Sequence, residues 1–245
     1  MYQPRFYRDK MGKGMSSFSI MHKETDLWVA VDNNSYFQEL PVKVLDFVEK
    51  NRGILDDYIV SNSDFVSSLV PIRISPSSPE IVKLMSDAAR LAGVGPMAAV
   101  AGTFSELTAR YIQTLGVNEV IVENGGDIFL IMQREISLSV YAGESKFSGR
   151  LVFKIEPENM PTAVCTSAGT IGHSLSFGNA DAVVVLADTG AVADAFATAI
   201  ANRVKSHKHI PALIEAARDN PHIKGILIVV KDKLGVWGNI QLCSA

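Results

Sequence analysis

Asp194 and Thr198 stand four residues apart in a segment, residues 191–201, that is otherwise small and apolar, and Asn202 extends their polar stripe. Residues at this spacing share one face of a helix. A helix that is apolar all round is normally buried, and a carboxylate buried in it is costly unless it is paired, hydrogen-bonded or bound to a metal. One reading makes the Asp194 carboxylate and Thr198 hydroxyl hard oxygen ligands for Mg2+, or a direct grip on a polar ligand. The competing reading has Asp194 capping a neighbouring loop or pairing with a buried Arg, since buried acids are partnered either way.

Two glycine-rich segments add candidates. In Asn124-Gly125-Gly126-Asp127 the glycines permit positive φ and let a ligand approach the backbone, although Asn-Gly between apolar runs is also the commonest hairpin signal. The run Cys165-Thr166-Ser167-Ala168-Gly169-Thr170, followed by Gly172-His173-Ser174, offers hydroxyls and N–H groups suited to phosphate. It equally fits a surface turn. No Walker A pattern is present, which argues against a nucleoside triphosphatase of that type. His173 is a candidate general base or ligand partner, whereas Cys165 reads first as a small buried hydrophobe. His22, His207, His209 and His222 show no metal-ligand spacing.

The elements that must position these residues follow from periodicity and punctuation. Alternation over residues 17–22 and 27–31 predicts an N-terminal hairpin. Pro41 opens a helix of about three turns, and Pro79 opens another that ends at Gly93. Gly95-Pro96 starts a helix that closes at Gly116. Residues 117–123 and 127–132 form strands joined at Asn124-Gly125-Gly126, and further strands are predicted at 136–141, 151–155, 163–166 and 182–187. A helix follows Gly190 to residue 204, then a short one at 210–218 and a strand pair at 226–230 and 234–237. Without a regular βαβ repeat, the pattern predicts an α+β fold with a largely antiparallel sheet flanked by helices. No internal repeat is evident in the residues.

The whole chain narrows the partners. At 245 residues and 47% hydrophobic it can bury a large core without disulfides. Its 23 basic and 26 acidic residues give a net charge of −3, with no Lys/Arg stripe interleaved with aromatics, so nucleic acid is not expected. Two cysteines, Cys165 and Cys243, make no disulfide framework, and a reducing cytoplasm is the expected compartment. The basic residues Arg5, Arg8, Lys10 and Lys13 precede no apolar h-region, and residues 191–201 are too short to cross a bilayer, so no membrane partner is expected.

Taken in order, Gly95-Pro96-Met97-Ala98-Ala99-Val100-Ala101-Gly102, then Val120 to Ile128 around Asn124-Gly125-Gly126-Asp127, then Thr166-Ser167, then Ala193-Asp194-Ala195-Phe196-Ala197-Thr198-Ala199, resemble the flavin-transferase family called ApbE. The likeness covers roughly the last 150 residues, and the chain is more similar still to a short branch of that superfamily from archaea and some bacteria. The resemblance implies one ApbE-like domain over 1–245, divisible into a hairpin and helix region, 1–92, and a core carrying the site, 93–245. It implies Mg2+ held by Asp194, Thr198 and a backbone carbonyl near Ala98 or Ala99. It further implies FAD or FMN lined by Asn124, Gly125, Gly126, Asp127, Thr166, Ser167 and Gly169, and FMN passing to a Thr of a target protein. The metal would bridge pyrophosphate oxygens, and His173 or Asp127 would orient or deprotonate the acceptor.

The sequence departs from the family at two places. A Lys-Gly of the first motif is Ala101-Gly102 here, and a His-Ile-Ile-Asp-Pro block reads His173-Ser174-Leu175-Ser176-Phe177. Three readings therefore stand at this point. The first is Mg2+-dependent binding of a flavin or other phosphorylated small molecule, extending to flavin transfer. The second, implied by the short branch, is an accessory protein in sulfur assimilation and homocysteine formation without flavin transfer. The third is a structural homo-oligomer.

Overall fold

The period-2 and helical patterns resolve, in the computed structural model, into strands and helices over residues 12, 14–169 and 178–244, which the structure describes. In chain order they are β1 (Ser16–His22), β2 (Thr25–Val31), α1 (Leu40–Ser61), α2 (Asp64–Ser67), α3 (Glu80–Ala92), α4 (Val100–Thr114), β3 (Val120–Asn124), β4 (Asp127–Ile131), β5 (Ile136–Ser139) and β6 (Leu151–Ile155). After them come β7 (Thr162–Ser167), β8 (Ala182–Ala187), α5 (Gly190–Arg203), α6 (Ile210–Arg218), β9 (Gly225–Val230), β10 (Lys233–Gly238) and β11 (Gln241–Ser244). The α+β architecture with antiparallel sheets and flanking helices is as expected.

One sheet of eight strands runs in the order β1-β2-β3-β4-β7-β8-β9-β10, every neighbour antiparallel, and a second has the order β11-β6-β5. Because successive strand residues point to opposite faces, the large sheet feeds two cores. Val29, Val122, Phe129, Cys165, Val183 and Ile228 pack with the helices. Ala30, Ile121, Leu130, Val164, Val184 and Leu227 pack with Phe153 and Ile155 of the small sheet. Strands β2, β8 and β9 are therefore buried on both faces. That is why they read as continuous apolar runs.

The eight-stranded sheet contains a repeat that residue patterns do not display. A hairpin, a helical insertion and a second hairpin occur twice, as β1-β2, α1 to α4, β3-β4 and again as β7-β8, α5 and α6, β9-β10, each set of four strands lying in chain order.

Three local expectations change. Helix α1 spans 22 residues rather than about three turns, because the buried stripe Leu40, Val44, Val48 continues to Leu55 through Gly53. One interior glycine costs only about 1 kcal/mol of helix stability, less than that burial contributes. Residues 96–99 form a 3₁₀ turn, so the α-helix proper begins at Val100. Strand β11 was not anticipated; its four residues pair with β6 and acquire strand structure from that partner. Among the described residues no helix is long and apolar enough to cross a membrane.

Candidate active site

The candidate residues converge where β3 and β7 end, β4 begins and the first turns of α4 and α5 meet. Helix α4 starts at an Ala99 N-cap that makes no side-chain capping bond. Its orphan N–H groups are satisfied from another element: Gly102 N–H donates to Asp194 Oδ2 of α5 (2.9 Å), and Ala101 N–H also donates to that carboxylate. Asp194 is thus a cap, as one reading of its burial required, but for a helix ninety residues away in sequence. Helix α5 has its own cap, Thr189, whose hydroxyl accepts from Val192 N–H at 3.4 Å. It receives a second from α4, because Gly190 N–H donates to Glu106 Oε2 at 2.7 Å.

These reciprocal caps are possible only because the two backbones touch. A Cβ on Gly102 would lie 2.2 Å from the Gly190 carbonyl oxygen, and a Cβ on Gly190 would lie 2.0 Å from that of Gly102. Gly102 keeps this role although the residue before it is Ala rather than Lys.

Asp127 enters from the sheet. Its Oδ1 accepts from Thr166 N–H at 3.1 Å, its backbone carbonyl accepts from Ser105 Oγ at 2.8 Å, and its side chain also meets the Cys165 thiol. Burial pushes the Asp127 carboxyl well above the usual range, and the Asp194 charge pushes it further. Burial also raises Asp194, to about 7, against the lowering effect of the Gly102 and Ala101 N–H groups. Among the described residues no Lys, Arg or His forms an ion pair with either acid. Two carboxylates, both raised by burial, thus sit within electrostatic reach of each other, where placing a net charge is expensive.

The remaining candidates fall around this pair. Thr198 is buried one turn beyond Asp194 on α5. Ala98 lies in the 3₁₀ turn, half-buried, and the adjacent Ala99 carbonyl accepts from Thr103 Oγ1. Gly125 and Gly126 have φ of 69° and 104° and form the two-residue turn between the paired Asn124 and Asp127, the geometry of a tight hairpin. Asn124 Nδ2 donates to the Ala101 carbonyl at 3.3 Å, tying that turn to α4. Ser167 Oγ is buried with no hydrogen-bond partner among the described residues. Gly169 is held by close packing, since a Cβ there would lie 2.0 Å from the Gly178 carbonyl oxygen. His173 lies outside the described residues.

Sequence reasoning did not single out Glu106, Ser105 or the Gly102 and Gly190 contact. A signal was present: Gly102 precedes Glu106, and Gly190 precedes Asp194, by the same four residues. Cys165 is buried in the helix-side core, and burial together with the Asp127 and Asp194 charges raises its thiol well above the usual range. A thiol so raised is not a thiolate nucleophile at neutral pH.

The fold is that of an ApbE-like protein. A family model described as AbpE bacteria matches residues 8–226. The UPF0280 protein of Methanocaldococcus jannaschii is 42% identical over 226 residues, covering 90% of each chain. A UPF0280 protein of Methanothermobacter thermautotrophicus is 45% identical over 198 residues, covering 79% of this chain and 77% of its own. Among solved structures, the flavin transferase ApbE from Vibrio cholerae superposes with a TM-score of 0.52 at 16% identity, over 91% of this chain and 96% of its own. The ApbE protein from Thermotoga maritima does so with a TM-score of 0.55 at 11% identity, over 90% and 96%. The chain belongs to the AbpE bacteria family, has UPF0280 proteins as relatives, and carries the ApbE fold.

Proposed function

We propose that this protein binds a flavin nucleotide together with a divalent cation at the Asp127 and Asp194 pair, and that its chemistry is transfer of FMN from FAD to an acceptor hydroxyl. The observation that carries the reading is the pair itself: a buried Asp127 and a part-buried Asp194, from different elements, brought together beside strand ends and lacking a described cationic side chain. Functional sites are where such like-charge burial is characteristically found. The buried Ser167 hydroxyl on the neighbouring strand, without a partner among the described residues, is a second polar group that a ligand could satisfy. Shared fold with a flavin transferase makes the flavin the natural first ligand to test.

The donors fit a hard cation. Among the described residues no three His, Cys, Asp or Glu side chains gather as a metal cluster, so Mg2+ would rest on Asp194, the Thr198 hydroxyl and backbone oxygen near Ala98, with Asp127 beside them. Oxygen ligands few in number, completed by water and substrate phosphate, are what Mg2+ takes. When bound, the ion would neutralise charge on the pyrophosphate. The chain's own residues have separate tasks. Thr166 N–H and Ser105 anchor Asp127, whose carboxyl holds or releases the proton exchanged with the acceptor hydroxyl or the departing AMP. Ser167 Oγ would hydrogen-bond the ligand.

Titration calorimetry with FAD and FMN, with and without Mg2+, tests this. The expected result is Mg2+-dependent FAD binding that Asp194→Ala weakens by at least about a hundredfold, since loss of an outer-shell partner alone typically costs about 10–100-fold and Asp194 would be a direct ligand. Absence of flavin binding, or binding indifferent to both Mg2+ and Asp194→Ala, refutes it.

A further inference from the structure

Glu106 lies in the first turns of α4, on the opposite helix from Asp194, yet the two carboxylates perform the same task for each other's helix. Asp194 Oδ2 takes the Gly102 N–H, and Glu106 Oε2 takes the Gly190 N–H, each acid standing four residues after the glycine of its own helix. Between them the two glycines are in backbone contact that admits no Cβ. The other Glu106 oxygen accepts from Arg110 Nε at 2.7 Å, and the Arg110 guanidinium lies over the Phe129 ring, 5.1 Å from its centroid. Glu106 is therefore fixed from the surface side by Arg110 and from the inner side by α5.

We propose that Glu106 is a positioning residue for Asp194: by holding the first turn of α5 against α4, it sets where the Asp194 carboxylate stands relative to Asp127. Neither end of this crossing can shift alone. If Gly190 N–H is released, α5 is free to slide on the glycine contact, and Asp194, one turn further on, moves away from the Ala101 and Gly102 N–H groups. The inference rests on the flavin reading only for what Asp194 then binds; the geometric coupling is independent of it.

Two measurements separate these levels. Amide hydrogen exchange at Ala101 and Gly102, on the helix that carries Glu106 but held by Asp194, is expected to quicken about tenfold in Glu106→Ala. Glu106→Gln, whose amide oxygen can still accept from Gly190 N–H, is expected to restore protection. A change confined to Gly190 and its neighbours in α5, with Ala101 and Gly102 protected as in the parent, overturns the proposal, because Glu106 is then a local cap alone. In the same variants, calorimetry with FAD and Mg2+ is expected to show a loss of about tenfold or more for Glu106→Ala and recovery for Glu106→Gln, in line with outer-shell effects at metal sites. Unchanged affinity in Glu106→Ala also overturns it. If the parent protein binds no flavin, the flavin reading fails and exchange at Ala101 and Gly102 alone decides the role of Glu106.

Discussion

Replacing Gly190 with Ala is expected to cost roughly 3–5 kcal/mol, combining overpacking of about 1–3 kcal/mol with loss of capping at about 0.5–2 kcal/mol per helix. The added Cβ would meet the Gly102 carbonyl oxygen at 2.0 Å and the Glu106 Cβ at 3.1 Å. The first contact is with backbone, so no side-chain rotation relieves it; the helices must part, and both reciprocal caps lengthen together. For a chain of this size that corresponds to a fall in melting temperature on the order of 10 °C, a large share of a typical stability of about 5–15 kcal/mol. Gly102→Ala, whose Cβ would lie 2.2 Å from the Gly190 oxygen, is expected to behave alike. Gly53→Ala is the control: it lies inside α1 with no atom within 4 Å of the new Cβ, and it should stabilise by about 0.5–1 kcal/mol through helix propensity. Thermal unfolding of the three variants decides the matter. Gly190→Ala melting with the parent would show that the crossing is not close-packed.

The second large effect is a pH dependence. In the metal-free protein Asp194 titrates in the folded state at about 7, against 3.8 for an ordinary aspartate. Below about pH 4 the group is protonated folded and unfolded, and its burial carries no ionic penalty. Between there and about pH 7 the unfolded chain has released a proton that the folded chain retains, so stability falls as pH rises. Above that window both states are ionised and the penalty is constant. A displacement of this size corresponds to at most roughly 4 kcal/mol. Denaturant titrations from pH 4.5 to 7.5 in the presence of chelator should therefore show the parent losing stability faster than Asp194→Asn, which can still accept the Gly102 N–H but carries no charge. The slope that remains in Asp194→Asn belongs in part to Asp127, also raised by burial. Parallel curves for parent and variant would contradict the assignment. Under the flavin proposal, Mg2+ added at pH 8 should recover most of the lost stability in the parent and little in Asp194→Asn, because only a ligand of the folded state shifts the equilibrium.

Much of this molecule was legible before any coordinates. Residues 182–187 and 226–230 announce strands, and the prolines at 41, 79 and 96 mark helix starts within a residue or a turn of where they occur. The buried-acid argument placed Asp194 on an apolar helix and demanded a partner for it, and Asp194 stands part-buried on α5 with its carboxylate held by N–H groups of α4. These features follow from local rules: periodicity of side-chain direction, the fixed φ of proline, and the cost of a carboxylate away from water.

Long-range contacts decided the rest. Nothing local identifies the Ala101 and Gly102 N–H groups as the partners of Asp194, because they lie on a separate helix that lacks a cap of its own. Glu106 reads in sequence as one more helix glutamate with an Arg four residues on, and only the approach of α5 makes it a cap. The repeated hairpin, helix and hairpin order is likewise carried by strand pairing rather than by residue identity. Residue types and their spacing marked which side chains belong toward the core and which of them needed a partner there. Which charges meet was settled only by the tertiary structure, since residue type and spacing fix a tendency to be buried, whereas a shared electrostatic environment exists only after two distant helices have been brought into backbone contact at Gly102 and Gly190.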